Sequence, residues 1–183
     1  MTMRPNKLLT LLLSLFMALV LAAPTPALAA KKPTLVIDNN MVGMTKAEKK
    51  VYKKLKYQRT KSATREGRKW TDANRSYSLG GRSYYVSTWG YIGGGTGCHA
   101  FALKMSDIAF GKKAHFKVHR SWSKIKVGDV VRYLGDTHSV VVLKVVGKKY
   151  LIAEGNYGGK VHWGRVITRS EIKKTGAYVL TRW

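Results

Sequence analysis

Two apolar runs constrain this chain more than any other stretch: HSVVVLKVV at 138–146 and YLIAEG at 150–155, separated by Gly147-Lys148-Lys149. Short β-branched runs joined through a glycine-led connection are a hairpin signature. Upstream, IKVGDVVRYL follows a Gly-Asp turn with the same β-branched enrichment. Downstream, VHWGRVITR and GAYVLTRW supply two more strands, with SEIKK as a helical turn between them. The C-terminal half therefore predicts an antiparallel sheet of four or five strands. The N-terminal half reads differently. MTKAEKKVYKKLKYQRTKS opens on Thr45 with Glu48 three residues on, a capping box, and carries Ala47, Val51 and Leu55 every four residues with Tyr52 beside them. Residues 64–97 are rich in Gly, Ser, Arg and aromatics and predict a long ordered loop with one short strand, SYYVS. A second helix is expected from about Cys98 to Phe110, N-capped by Thr96 and ended by Gly111. Helices first and an antiparallel sheet after them define an α+β architecture.

The chain begins like a leader. Arg4 and Lys7 precede an apolar stretch from Leu8 to Ala22, and Ala27-Leu28-Ala29 is a small-residue cleavage pattern, so residues 1–29 read as a secretory signal peptide. The apolar part is too short for a membrane span, and no later run could anchor the protein. The expected product is secreted, free or associated with a cell wall. Residues 30–70 read as a basic extension bearing the first helix, and 71–183 as the main domain.

The whole chain carries a formal charge of +25, and +23 remains once the two cations of the leader are removed. Such a field favours polyanions. Export directs that preference toward anionic wall polymers and acidic surfaces, and no nucleic-acid partner is expected. One cysteine cannot form an internal disulfide, so packing must hold the fold, and the thiol is either a core filler, an intermolecular partner or a reactive group.

That cysteine lies in GGGTGCHAFALKMSD, where a glycine-rich loop becomes a helix. Thiolate is the reactive form, and the unpaired N–H groups of a helix N-terminus stabilise it and can cradle an oxyanion. A cysteine nucleophile also needs a base, and the base an orienting group. Among His99, His115, His119, His138 and His162, His138 stands out, a polar ring opening the most apolar strand. If Gly147 to Lys149 forms a three-residue connection, Asn156 faces Val140 and Glu154 faces Val142. Both then share the His138 side, with Asn156 diagonally nearest. A two-residue turn would reverse that parity.

TGCHAFALKMSD, GDVVRYLGDTHSVVVL and AEGNYGGKVHWGR together resemble the papain-like cysteine amidohydrolases and peptidases of bacterial envelopes, the CHAP and NlpC groups, over about residues 85–170. The resemblance implies a papain-like fold, no metal or other cofactor, and cleavage of peptide amides in peptidoglycan through an acyl-enzyme. It makes Cys98 the nucleophile, His138 the base and acid, and Asn156 the orienting residue with Glu154 nearby; His162 is a second candidate for that role. His99 and Ala100 depart from the small residue and glycine that many relatives carry after the nucleophile. Tyr85 and Tyr91 are candidates for a second oxyanion donor, and Trp163 for a groove wall. Two other readings use the same residues: an inactive scaffold that binds wall polyanions, and a transglutaminase-like acyltransferase.

Overall fold

The computed structural model describes residues 35–183; the signal-peptide reading lies outside them. The chain enters through bends at 35–39, with Leu35 and Ile37 resting on the core. Helix α1 (Lys46–Gln58) starts at the expected capping box: Thr45 N–H donates to Glu48 Oε2 at 2.9 Å, and Glu48 N–H to Thr45 Oγ1 at 3.2 Å. Its buried stripe is Val51, Tyr52 and Leu55; Ala47 is exposed. These three side chains lie in the same apolar cluster as Phe101 and Trp163, so residue 70 does not separate two cores.

The loop expected at 64–97 is organised by four three-residue strands. β1 (Ser76–Ser78) pairs with β4 (Gly94–Thr96), and β2 (Tyr84–Val86) with β3 (Gly90–Ile92), each pair antiparallel. Helix α2 (Gly97–Phe110) follows directly. It is apolar nearly all round, as a helix at the centre of a domain must be, and Gly111 with φ 88 ends it.

A six-stranded antiparallel sheet completes the fold in the order β5-β10-β6-β7-β8-β9. Its strands are β5 (Lys117–His119), β6 (Val130–Tyr133), β7 (His138–Val146), β8 (Lys149–Tyr157), β9 (Lys160–Thr168) and β10 (Tyr178–Thr181). The strand beyond the expected count is β5, a short edge in a lysine-rich stretch too polar to show periodicity. Helix α3 (Arg169–Thr175) is the turn foreseen at SEIKK, with its own Thr168–Glu171 capping box. One face of the sheet, with Val141, Leu143, Leu151 and Ala153, packs with residues of α1 and α2. The other, with Val140, Val142, Ile152 and Ile167, is covered by Ile172 of α3 and by Trp122. The architecture is α+β with antiparallel sheets, as expected.

The β7–β8 connection differs from the expected three residues. Val146 pairs with Lys149, so the turn is Gly147-Lys148. That alone would put His138 and Glu154 on opposite faces. A bulge between Val142 and Lys144 absorbs one residue and pairs Val142 with Ile152, which returns them to one side.

Candidate active site

Cys98 occupies the first turn of α2, where the backbone leaves no latitude. Gly97 has φ +48, and a Cβ there would collide with the Asp72 carboxylate and the Asn156 amide. The Cys98 sulfur lies 3.7 Å from Thr137 O and 4.0 Å from Arg132 Nη1. It hydrogen-bonds the His138 ring, and the Ser139 backbone N–H points at it. Burial alone would push the thiol up. The hydrogen bond and charge of His138, the Ser139 N–H and the Arg132 guanidinium outweigh burial and hold it below the ordinary cysteine value.

His138 mirrors this. Its Nε2 sits 2.7 Å from Glu154 Oε2, which leaves Nδ1 for the sulfur. Burial would lower its pKa, but the contacts with Cys98 and Glu154 raise it to about 9. The two shifts run in opposite directions, each group favouring the charged form of the other. Tyr133 meets the imidazole edge-on, with ring centroids 5.8 Å apart, and Tyr157 leans on it at 6.1 Å.

Glu154 has no exposed surface. Arg165 from β9 grips both its oxygens, Nε to Oε1 at 2.6 Å and Nη2 to Oε2 at 2.7 Å, and Nη2 also reaches the Tyr133 hydroxyl at 2.5 Å. Burial would raise this carboxyl; Arg165 and His138 hold it below the usual carboxylate range. A buried carboxylate with three charge-assisted bonds is a fixed anion, suited to orienting an imidazolium.

The structure thus brings together Cys98, His138 and Glu154, and gives Asn156 another place. The β8–β9 register shifts between Glu154 and Tyr157, and Asn156 takes a left-handed φ of 59, which removes it from strand alternation. Its Nδ2 donates to Asp72 Oδ2 at 2.6 Å, while Thr96 Oγ1 donates to Asp72 Oδ1 at 3.0 Å, so Asn156 braces the entry to α2. His162 bonds Glu66 Oε1 at 2.9 Å and Tyr157 O at 3.1 Å, away from the imidazole. His99 points into the core, its Nδ1 2.8 Å from Ser139 Oγ and its Nε2 on the Tyr84 hydroxyl; burial, aided by Arg132, drops its pKa to about 4 and keeps it neutral. Tyr85 and Tyr91 pair with each other on the exposed β2–β3 hairpin. Trp163 is buried against Phe101 with its Nε1 on Thr64 O at 2.8 Å, a core residue rather than a groove wall.

Sequence reasoning missed Arg132 and Arg165. Each is a cation inside an otherwise apolar or aromatic strand, RYL after VV and RVI after WG, and that misplacement was the available signal.

No family model matches the chain, and no curated protein matches it. Among solved structures it is similar to the crystal structure of Ly7917, at 16% identity and a TM-score of 0.43, and to that of Ly7917 with the hydrolyzing product of MDP, at 18% and 0.44. Each alignment covers 74% of this chain and 62% of the other, so this chain spans less than two thirds of that protein's length. Among the described residues, no helix is long and apolar enough to cross a membrane.

Proposed function

We propose that this chain is an exported cysteine amidase or peptidase with a papain-like, CHAP- or NlpC-like fold, acting on peptide amides of cell-wall peptidoglycan. One observation carries the reading: a thiol at a helix N-terminus held below its ordinary pKa by an imidazole that the sulfur itself and a buried, arginine-clamped carboxylate raise to about 9. A structural thiol requires none of these.

The chemistry follows from the charges. The Cys98 thiolate attacks the amide carbon, and the oxyanion forms beside the free N–H groups opening α2. The His138 imidazolium gives its proton to the leaving amine, and the C–N bond breaks to a thioester. Neutral imidazole then takes a proton from water, the resulting hydroxide attacks the thioester, and the C–S bond breaks to release the acid, leaving thiolate and the imidazolium that keeps that proton. Glu154 keeps the ring oriented through both halves and stabilises its charged form. The lysines of α1, turned to solvent, supply the attraction to anionic wall polymers.

Digestion of purified peptidoglycan tests this. The protein lacking residues 1–29 should release new amines or peptides, and Cys98→Ser should release none. Equal release by both would leave only a basic wall-binding scaffold.

A further inference from the structure

The residues from Ser83 to Thr96 include no Asp, Glu, Lys, Arg or His, in a chain that carries 34 lysines and arginines. This neutral stretch forms the β2–β3 hairpin and runs on through β4. Cross-strand alternation sorts the hairpin's side chains by chemistry. Tyr84 and Val86 are buried, and Ile92, the partner of Tyr84, packs against the same core. Tyr85 and Tyr91 are partners on the other face, their ring centroids 5.2 Å apart and their planes tilted by 56°. Both are more than half exposed, as is Trp89 at the turn. Ser83, Ser87 and Thr88 are the exposed polar side chains beside them. The outward face of the hairpin therefore offers aromatic rings and hydroxyls, without charge and without aliphatic groups. Its position is fixed beside Cys98. The Trp89 indole N–H donates to Asp136, whose other oxygen accepts from Arg132 Nε at 2.7 Å, and Arg132 Nη1 lies 4.0 Å from the sulfur. Trp89 and Ile92 also help to line a cleft of about 310 Å³ with His99, Arg132 and Tyr178. The hairpin thus walls that cleft and turns its two tyrosines to solvent.

Clustered exposed aromatic rings mark a recognition surface, and the classes of occupant differ in what they need. An anionic polymer or acidic headgroup needs cations, and this face has none. A protein segment or a lipid tail needs aliphatic surface to bury, and the hairpin turns its aliphatic side chains inward. A neutral sugar needs rings to stack on, because the C–H bonds of a pyranose meet the negative face of an aromatic system, and it needs hydroxyls to bond its rim. We infer that the outward face of the β2–β3 hairpin is a platform for the neutral pyranose rings of a glycan chain, stacked on Tyr85 and Tyr91. That such a glycan carries the peptide presented to Cys98 rests on the reading proposed above; the affinity for sugar rings does not.

Calorimetric titration of the Cys98→Ser protein with chitotetraose, a neutral N-acetylhexosamine tetramer, tests this without turnover. Saturable binding is expected, little changed between about 0.05 and 0.5 M salt because the ligand carries no charge. Tyr85→Ala/Tyr91→Ala should weaken it about ten-fold or more, the scale of two lost stacking contacts. Tyr91→Phe should keep most of the affinity, since the ring rather than the hydroxyl does the stacking. Lys112→Ala/Lys113→Ala removes exposed charge elsewhere and should leave binding unchanged. Tyr91 is 77% exposed, so Tyr91→Ala alone gives the same reading should the double variant fail to fold. The inference is overturned by an absence of saturable binding, by an affinity the tyrosine variants do not lower, or by one the lysine variant lowers as much. Tyrosine-dependent self-association, or tyrosine-dependent binding to phosphatidylcholine vesicles, in protein that takes up no sugar would also overturn it, giving the face to a second copy or to a lipid surface. Sugar binding by a protein that leaves peptidoglycan peptides uncut would sink the proposed reaction and leave the platform standing; cut peptides without sugar binding would do the reverse.

Discussion

Glu154 carries a charge that no solvent touches, and its removal separates orientation from electrostatics. Glu154→Gln preserves the size of the side chain and leaves an oxygen to accept from His138 or Arg165. The anion that raises His138 disappears, so the imidazole should titrate lower and the thiol higher. Cys98 alkylation by iodoacetamide at pH 7 should slow roughly ten-fold or more, the scale of a loss of one or more pKa units in the pair. If Cys98 acts as proposed, the reacting form is thiolate with imidazolium. Activity should fall on the acid side as the thiol regains its proton, and on the alkaline side as His138 loses its own near pH 9, a bell whose upper limb Glu154→Gln moves toward neutral. An unmoved limb in a rate-against-pH series would contradict this. At this scale Cys98 and His138 were legible because each violates its setting: a lone thiol at a helix start, and a ring at the mouth of an apolar strand. Asn156 was chosen over Glu154 because parity along an ideal hairpin cannot register a bulge, and because the clamp on Glu154 comes from Arg165, one strand further on.

Strand length and strand register diverge in β7, and this makes two predictions. The Val142/Lys144 irregularity leaves Leu143 without a partner on β8 while residues on either side stay paired. Deleting Leu143 would leave those pairs and faces in place, whereas deleting Val140 would turn His138 to the opposite face. The first variant should keep a fast-reacting thiol at a cost in stability of about 2–5 kcal/mol, as for other buried leucines lost from a core. The second should react like an ordinary cysteine, and comparable reactivity in both would refute the assignment of faces. Gly155 is the other element-scale constraint. A Cβ there would stand 2.7 Å from Phe101 Cβ and 2.8 Å from Trp70 Cδ1, so β8 passes α2 with only hydrogen between them. Gly155→Ala should lower stability by about 1–3 kcal/mol by overpacking, measurable as a reduced denaturant midpoint. Helices and long strands were legible from period and caps; of the paired three-residue strands of 76–96 only β2, at SYYVS, was, since strands so short carry no period.

Across the molecule, a strongly positive charge coexists with a buried acid, Asp129, that forms no ion pair among the described residues. Asp129 is 1% exposed, its Oδ1 is unbonded, and burial lifts its pKa to about 7 against the hydrogen bond from Lys126 N–H. A carboxyl raised in the folded state stabilises fully below its unfolded pKa, and that contribution is lost as pH rises through the folded value. The melting temperature should therefore decline between about pH 4 and 7, a slope that Asp129→Asn should flatten; parallel curves for the two proteins would show that Asp129 is not the cause. Composition gives the net charge directly, but burial of a single carboxyl depends on three-dimensional packing that no local pattern encodes. The placement of the site between two apolar clusters has an effect of its own. Cys98 rides on the helix layer packed with Leu143 and Ala153, whereas His138 and Glu154 extend from the face of Val140 and Ile152. Sulfur and imidazole are thus mounted on opposite halves of a sandwich, and a slight slip between those halves would part them while each half stayed intact. Gentle warming should return the Cys98 thiol to ordinary reactivity several degrees before it melts the protein, making alkylation rate an early thermometer of loosening inside an otherwise folded molecule.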